Sequence, residues 1–303
     1  MKKLIIEARI NEYEMRDRNP NVPWTAREIA EDGQECRQAG ASVVHFHTRR
    51  RDGSPELGAE VCGEVIAWIK DLSDILVHPT LGSLRKDLPL RERLKPILDL
   101  AAVHATRPDF LPLCLSSPNW DFFDSTSNRF VSADKVYINP TDDLIGSVQS
   151  LRQAGIGLSC VSWEIGATRR VAAFLDAGIL QGPVYLPFHL TSGGMLAGHP
   201  GTKEGLDSHL EFLPKGRAIE WAALNLHGSI LPLAERIIGA EGHVQIGLGD
   251  YHYVELGAPG NAELIRRVVD VAKRLGREIA SPQEVRAMLG LTAPASTAGL
   301  AVG

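Results

Sequence analysis

His45 and His47 are two residues apart in Ser42-Val43-Val44-His45-Phe46-His47-Thr48-Arg49, a run rich in β-formers that ends at the turn Arg51-Asp52-Gly53-Ser54-Pro55. In a strand successive side chains alternate between faces, so the two imidazoles project to one side while Val44, Phe46 and Thr48 project to the other. Paired imidazoles at the C-terminal end of a strand suit a divalent metal with nitrogen ligands at about 2.0–2.1 Å. The alternative is a half-buried strand whose histidines are satisfied by backbone or carboxylate partners. A third metal ligand has to come from another element.

The surrounding chain is that of an ordinary globular protein, with 303 residues, 44% hydrophobic and 23% charged. It is long enough to bury a large core. Cys36, Cys62, Cys114 and Cys160 lie far apart with no C-x-x-C pair, which indicates neither a disulfide framework nor a thiolate zinc site and fits a reducing cytoplasm. The opening Leu4-Ile5-Ile6 is cut by Glu7 well short of a signal-peptide core, and no apolar run reaches the length of a membrane span. A formal net charge of −5 with no basic run argues against nucleic acid. A small molecule is the expected partner.

The elements that must carry the two histidines alternate in type. Leu4–Ile10 reads as a strand. Thr25 and Glu28 have capping-box spacing and open a helix that Gly40 stops, and the histidine strand follows. Ala59–Leu72 is helical, and Ile75–Thr80 is a third strand. The pattern continues with a helix over Arg91–Leu100, a strand over Leu111–Ser116, a long polar loop over Asn119–Asp134 and a helix capped by Asn139 with Pro140 at its first position. Strands follow over Gly157–Val161 and Val184–His189, the latter weakened by Pro187, and then Glu220–Leu226 and Val244–Gly249. Ala167–Ala177 and Ile230–Ile238 are the helices between them. A Gly-rich loop runs from Ser192-Gly193-Gly194 to Gly201, Asn261 caps Ala262–Leu275, and Ser281-Pro282-Gln283-Glu284 caps a last helix ending near Leu289.

Eight strand-then-helix units predict an α/β fold, a (β/α)8 TIM barrel occupying 1–291 as one domain, with 292–303 a flexible Ala/Gly/Ser/Pro tail. A doubly wound sheet is disfavoured because no Gly-rich nucleotide fingerprint follows the first strand. In a barrel the chemistry gathers at the C-terminal strand ends, where His45, His47, Thr80, Ser116 and Asp250 all fall. Thr80, Gly82 and Ser83 form a small hydroxyl-and-glycine turn suited to an anion. Asp250 either acts as a base beside the metal strand or merely caps the loop after strand eight, the base role being the better reading, and Glu14 lies in a polar loop where it either touches substrate or is only solvated. His78 and His243 read as structural, and His189 is undecided.

These strand ends resemble the beta-keto acid cleavage enzyme family, whose type member cleaves 3-keto-5-aminohexanoate. The matching residues are Glu14, Asn19-Pro20-x-Val22-Pro23-x-Thr25, Ala39-Gly40-Ala41-Ser42, His45-x-His47-x-Arg49-x-x-Asp52-Gly53-x-Pro55, Gly194-Met195, Gly242-His243, Gly247-x-x-Asp250, and Asn261-Ala262-Glu263-Leu264 through Leu275 to Pro282. The resemblance implies a TIM barrel holding a divalent metal, usually zinc, through His45 and His47. It implies acyl exchange between a beta-keto acid and acetyl-CoA, giving acetoacetate and a new acyl-CoA by retro-Claisen chemistry. It also implies Asp250 and Glu14 as catalytic groups, Arg49, Ser117 and the Thr80 turn as substrate contacts, and a homo-oligomer. Lewis-acid stabilisation of an enolate and a carboxylate base are the chemistry such a reaction needs.

The chain departs from the family at the site. A glutamate ligand expected before the aspartate is Gly249, an arginine expected after strand seven is Gly228, and strand-five glutamates fall on Ser159 and Val161. Glu7, His227 and His252 are the candidate replacements for the third metal ligand. Competing readings are a metal-assisted lyase, aldolase or hydrolase working without CoA, and a non-catalytic carboxylate-binding member.

Overall fold

Ile6, Ala8 and Ile10 alternate along the chain with Glu7, Arg9 and Asn11, and all six are buried. A strand that is buried on both sides yet apolar on only one sends its polar face into an enclosed, hydrogen-bonded interior. That strand, β1 (Ile6–Arg9), sits between β2 (Val43–Phe46) and β10 (His243–Ile246) in an eight-stranded parallel sheet. The computed structural model describes residues 1–12, 14–56, 58–81 and 88–291.

The chain continues from β1 through α1 (Ala26–Ala39), β2, α2 (Ala59–Leu72), β3 (Leu76–Pro79), α3 (Leu90–Ala101) and β4 (Phe110–Cys114). A two-stranded hairpin, β5 (Phe123–Asp124) and β6 (Arg129–Phe130), interrupts the alternation. Next come α4 (Thr141–Gln153), β7 (Gly157–Val161), α5 (Ile165–Asp176), β8 (Val184–Thr191), α6 (Lys203–Glu211), β9 (Ile219–Leu226), α7 (Ala234–Gly239), β10, α8 (Asn261–Arg274) and α9 (Pro282–Leu289). The strand order β3-β2-β1-β10-β9-β8-β7-β4 curls into a near-closed (β/α)8 barrel. The seam between β3 and β4 is tied by Asp109, whose backbone N–H donates to Val77 O at 2.9 Å and whose carboxylate accepts from Val77 N at 2.7 Å.

Apolar side chains on the outer strand faces pack under the helices, while Ile5, Val43, Leu76, Phe110 and Tyr185 fill the lower interior against Val285 and Leu289 of α9. The bottom of the barrel is therefore plugged and its upper, C-terminal end is open to function. The capping boxes at Thr25/Glu28 and Ser281/Glu284 form as their spacing predicts, and Gly40 ends α1 in the left-handed conformation. The four cysteines are buried and unpaired. No helix among the described residues is long and apolar enough to cross a membrane.

Two local expectations are corrected. Asn139 does not cap α4. Its Oδ1 accepts from Arg93 at 2.7 Å and its amide donates to Ser116 O at 2.8 Å, and Pro140 takes the cap position. Asn261 opens α8 rather than capping it, and it ties two strand ends by accepting from Leu248 N at 2.7 Å and donating to Ile10 O at 3.0 Å. Pro187 lies inside β8 in register with Ala222 of β9, and its carbonyl accepts from Ser162 N at 2.9 Å, so the strand forms despite the missing N–H. The expected C-terminal tail lies outside the described residues.

Candidate active site

The period-two rule carries His45 from β2 into the barrel, and His47 follows one residue past the strand end; both are almost fully buried. Facing them is Glu12, just beyond the end of β1, turned inward by a backbone φ of 34°. One of its oxygens lies 3.3 Å from His45 Nε2 and the other 2.6 Å from His47 Nε2. Three donor groups thus converge within 4.8 Å of one another. Tetrahedral ligands at about 2.0–2.1 Å from a metal stand about 3.3 Å apart, a spacing a small shift of Glu12 would provide.

The chemistry of the donors also fits a cation. Burial, reinforced by the positive charge of Arg9, holds both histidine pKa values well below the usual 6.5, so the imidazoles are neutral and their nitrogens available as ligands. Glu12 was not anticipated, because periodicity ends with the strand and says nothing of the residue that turns back into the lumen. A charged residue directly after a barrel strand was the available signal.

Gly249 explains why Glu12 can lie there. A β-carbon built on Gly249 would come within 2.7 Å of Glu12 Cγ and 2.8 Å of Glu12 N. The position expected to carry a glutamate is thus empty of side chain, and a glutamate from β1 takes the space. Arg9 of β1 donates through Nε to Asp250 Oδ1 at 2.7 Å and pairs with Glu12 through Nη2. Burial raises the Asp250 carboxyl to about 6, with Arg9 opposing the shift. Asp250 Oδ2 is buried with no hydrogen-bond partner among the described residues.

The replacement ligands proposed from sequence are placed differently. Glu7 faces the lumen but is occupied by His78 at 2.9 Å, Tyr185 OH at 3.0 Å and Gln245 Nε2 at 2.8 Å. Burial alone would raise its pKa, but the imidazole of His78, Arg9 and the Tyr185 hydroxyl reverse this and favour the carboxylate. Glu7, His45 and His78 form a second group of convergent donors below the first. His227 lines the cavity against Phe122, their ring centroids 5.1 Å apart, and His252 packs on Tyr251; neither joins a donor group with His45 and His47 among the described residues.

Above these residues is a cavity of about 270 Å³ lined by Arg9, Glu12, Glu14, His45, His47 and Thr80 on its polar side. Burial raises the Glu14 pKa. Asp250 lies beside the lining residue Gly249 without itself forming part of the lining. Arg49 and Ser117 are not among the residues lining the cavity. Arg49 donates to the carbonyls of Gly53 at 2.7 Å, Glu12 at 2.8 Å and Glu14 at 3.0 Å, so it holds the loop that presents both glutamates. Ser117 is exposed, and its hydroxyl accepts from Asn139 N at 2.8 Å. Gly82 and Ser83 lie outside the described residues. His189 lines the cavity against Trp163, whereas His243 is structural, bonded to Glu220 at 3.0 Å and to Ile5 N at 3.0 Å.

Fold and site together define a (β/α)8 protein with a carboxylate-and-histidine centre suited to a divalent cation at the catalytic end of the barrel. The family model for beta-keto acid cleavage enzymes matches residues 3–291, and the chain belongs to that family. It is 28% identical over 296 residues to the 3-keto-5-aminohexanoate cleavage enzyme of Acetoanaerobium sticklandii, covering 96% of this chain and 100% of that one. It is 25% identical over 277 residues to the 3-oxoadipate:acetyl-CoA acetyltransferase of Cupriavidus necator, covering 90% and 89%. Among solved structures, apo ObcA matches with a TM-score of 0.68 at 15% identity, over 90% of this chain and 66% of its own, a likeness of fold.

Proposed function

We propose that the protein is a metal-dependent acyltransferase that exchanges the acyl group of a beta-keto acid with acetyl-CoA, giving acetoacetate and a new acyl-CoA. The observation that carries this reading is the convergence of Glu12, His45 and His47 beside an Asp250 anchored by Arg9. Relatives named for acetyl-CoA transfer from beta-keto acids support the reaction class.

His45, His47 and Glu12 would hold the cation, zinc being the family's usual choice, which when bound supplies Lewis acidity toward the substrate oxygens. Asp250 is the base for the acidic proton between ketone and carboxylate. A carboxyl near 6 is ionised at neutral pH yet basic enough to take a proton, and Arg9 fixes one oxygen while the other has no partner among the described residues. The carbanion carbon attacks the acetyl thioester, the CoA thiolate is then acylated by the departing acyl group, and the bond between that acyl carbon and the original α-carbon breaks. Atoms balance as beta-keto acid plus acetyl-CoA going to acyl-CoA plus acetoacetate. Thr80, with Gly82 and Ser83, binds the substrate carboxylate, and Glu14 contacts substrate from the β1 loop. Arg49 serves by holding that loop, and Ser117 by bracing the strand-four end through Asn139.

The test is incubation of zinc-loaded protein with acetyl-CoA and a panel of beta-keto acids, followed by detection of acetoacetate and the matching acyl-CoA. Product from at least one acid is expected. No product from any acid, with the metal shown to be bound, overturns the reading, and cleavage without acetyl-CoA replaces it with a lyase or hydrolase.

A further inference from the structure

The cavity has a second side that the chemistry above leaves unused. Part of its lining is an apolar cluster of Cys114 of β4, Val161 at the end of β7, Trp163, and Leu226 at the end of β9, with Pro112 beside it. Trp120 and Phe122 complete it from the segment leading into the β5–β6 hairpin. That segment is docked rather than loose: Phe123 N donates to Gly194 O at 2.8 Å, and Phe122 bridges Met195 of the Gly-rich loop.

The aromatic rings are held by each other. Trp120 meets Trp163 edge-on at 4.8 Å between centroids and Tyr137 at 5.8 Å. The polar tips of Trp163 and Tyr137 are engaged within the protein. Trp163 Nε1 donates to Cys114 Sγ at 3.3 Å, and the Tyr137 hydroxyl accepts from Arg93 Nη1 at 2.6 Å. Among the described residues the only guanidinium on the lining is that of Arg9, already paired with Asp250 and Glu12. Glu14, the remaining carboxylate, belongs to the β1 loop held by Arg49, not to the aromatic side. The polar groups beside these rings are Ser159 and the imidazoles of His189 and His227, whose pKa burial holds below the usual 6.5. A charged group placed against the rings would lose hydration and meet no opposite charge there, whereas a hydrocarbon group would gain its burial.

We propose that this wall receives the remote end of the substrate, so that the enzyme takes beta-keto acids ending in an uncharged apolar group, aryl or branched alkyl, in preference to those ending in a carboxylate or an ammonium. The inference rests on the beta-keto acid reading above.

Four beta-keto acids of equal chain length, ending in phenyl, carboxylate, ammonium and trimethylammonium, separate the two. Each is titrated calorimetrically into the zinc-loaded protein without acetyl-CoA, so that affinity is read independently of turnover. Burial of a phenyl side chain predicts binding at least about tenfold tighter than any charged acid. Equal or tighter binding of any of the three overturns the proposal, trimethylammonium by showing an aromatic cation cage and ammonium by implicating Glu14. Trp120→Arg is expected to weaken the phenyl acid and strengthen the carboxylate one, and an unchanged order in a folded variant also overturns the wall's role. Acetyl-CoA is then added. Absence of every acyl-CoA product refutes the proposed reaction, while the binding order still decides the specificity.

Discussion

Glu12 and Gly249 occupy one space between them: a β-carbon on Gly249 would stand 2.7 Å from Glu12 Cγ. A carboxylate can reach His45 and His47 from β1 or from the loop after β10, but not from both. Glu12→Gly is therefore expected to lower zinc affinity about 100-fold or more, since even partners outside the metal's own ligands are worth about 10–100-fold. Gly249→Glu alone should also disturb the site, because both side chains compete for it. The double variant Glu12→Gly/Gly249→Glu should recover zinc stoichiometry, measured by elemental analysis after dialysis. A double variant no better than the worse single one refutes the exchange.

Zinc that binds only the folded protein stabilises it, by about 2.7 kcal/mol at a hundredfold excess over Kd. For a chain of this size that raises Tm by roughly 4 °C. A thermal melt with and without zinc should show the shift in the wild type and lose it in His45→Ala and His47→Ala. An equal shift in all three places the cation elsewhere.

Asp250 gives a pH signature. A base with a pKa of about 6 makes turnover rise roughly tenfold per unit up to pH 6 and level off above it. Asp250→Asn should reduce turnover by about 10²–10⁴-fold and abolish that limb. Stability moves the opposite way. The folded state holds the proton more tightly than the unfolded chain, whose carboxyl titrates near 3.8, so the group's contribution is fullest below that value and is lost as pH rises to about 6. Asp250→Asn should gain up to about 3 kcal/mol on the wild type between those limits, read from urea melts. A parallel pair of stability curves would show that Asp250 is not held as argued.

Gly194 has φ near 87°, and a β-carbon there would be driven into the Phe123 carbonyl oxygen. Gly194→Ala should therefore undock the β5–β6 hairpin and raise KM for the keto acid by about tenfold, while zinc binding is retained. Loss of zinc together with KM would mean that the hairpin supports the metal residues as well.

The barrel was legible because its helices carry their own punctuation, as at Thr25 and Ser281, and because eight strand segments alternate with them. His45 and His47 were legible because two imidazoles two residues apart in a strand must share a face. Glu12 was not, since its position depends on a turn of the backbone after β1 and on the absence of a side chain 237 residues later. Asn139 and Asn261 look like helix caps locally, yet each is claimed by distant partners, Arg93 in one case and Ile10 with Leu248 in the other. The hairpin wall is likewise a long-range product, with Trp120 meeting Trp163 only after the barrel curls.

β1 contributes Glu7 and Arg9, and the residues directly after it contribute Asn11, Glu12 and Glu14. Because side chains alternate with a period of two, sliding β1 by one residue between β2 and β10 would turn Glu7 and Arg9 out under the helices and bring Ile6 and Ala8 inward. Asp250 would lose Arg9, and His78 would lose Glu7. The polar interior of the barrel therefore ties the register of its first strand to the site: Arg9 meets Asp250, and Glu7 meets His78, only when β1 is seated as observed.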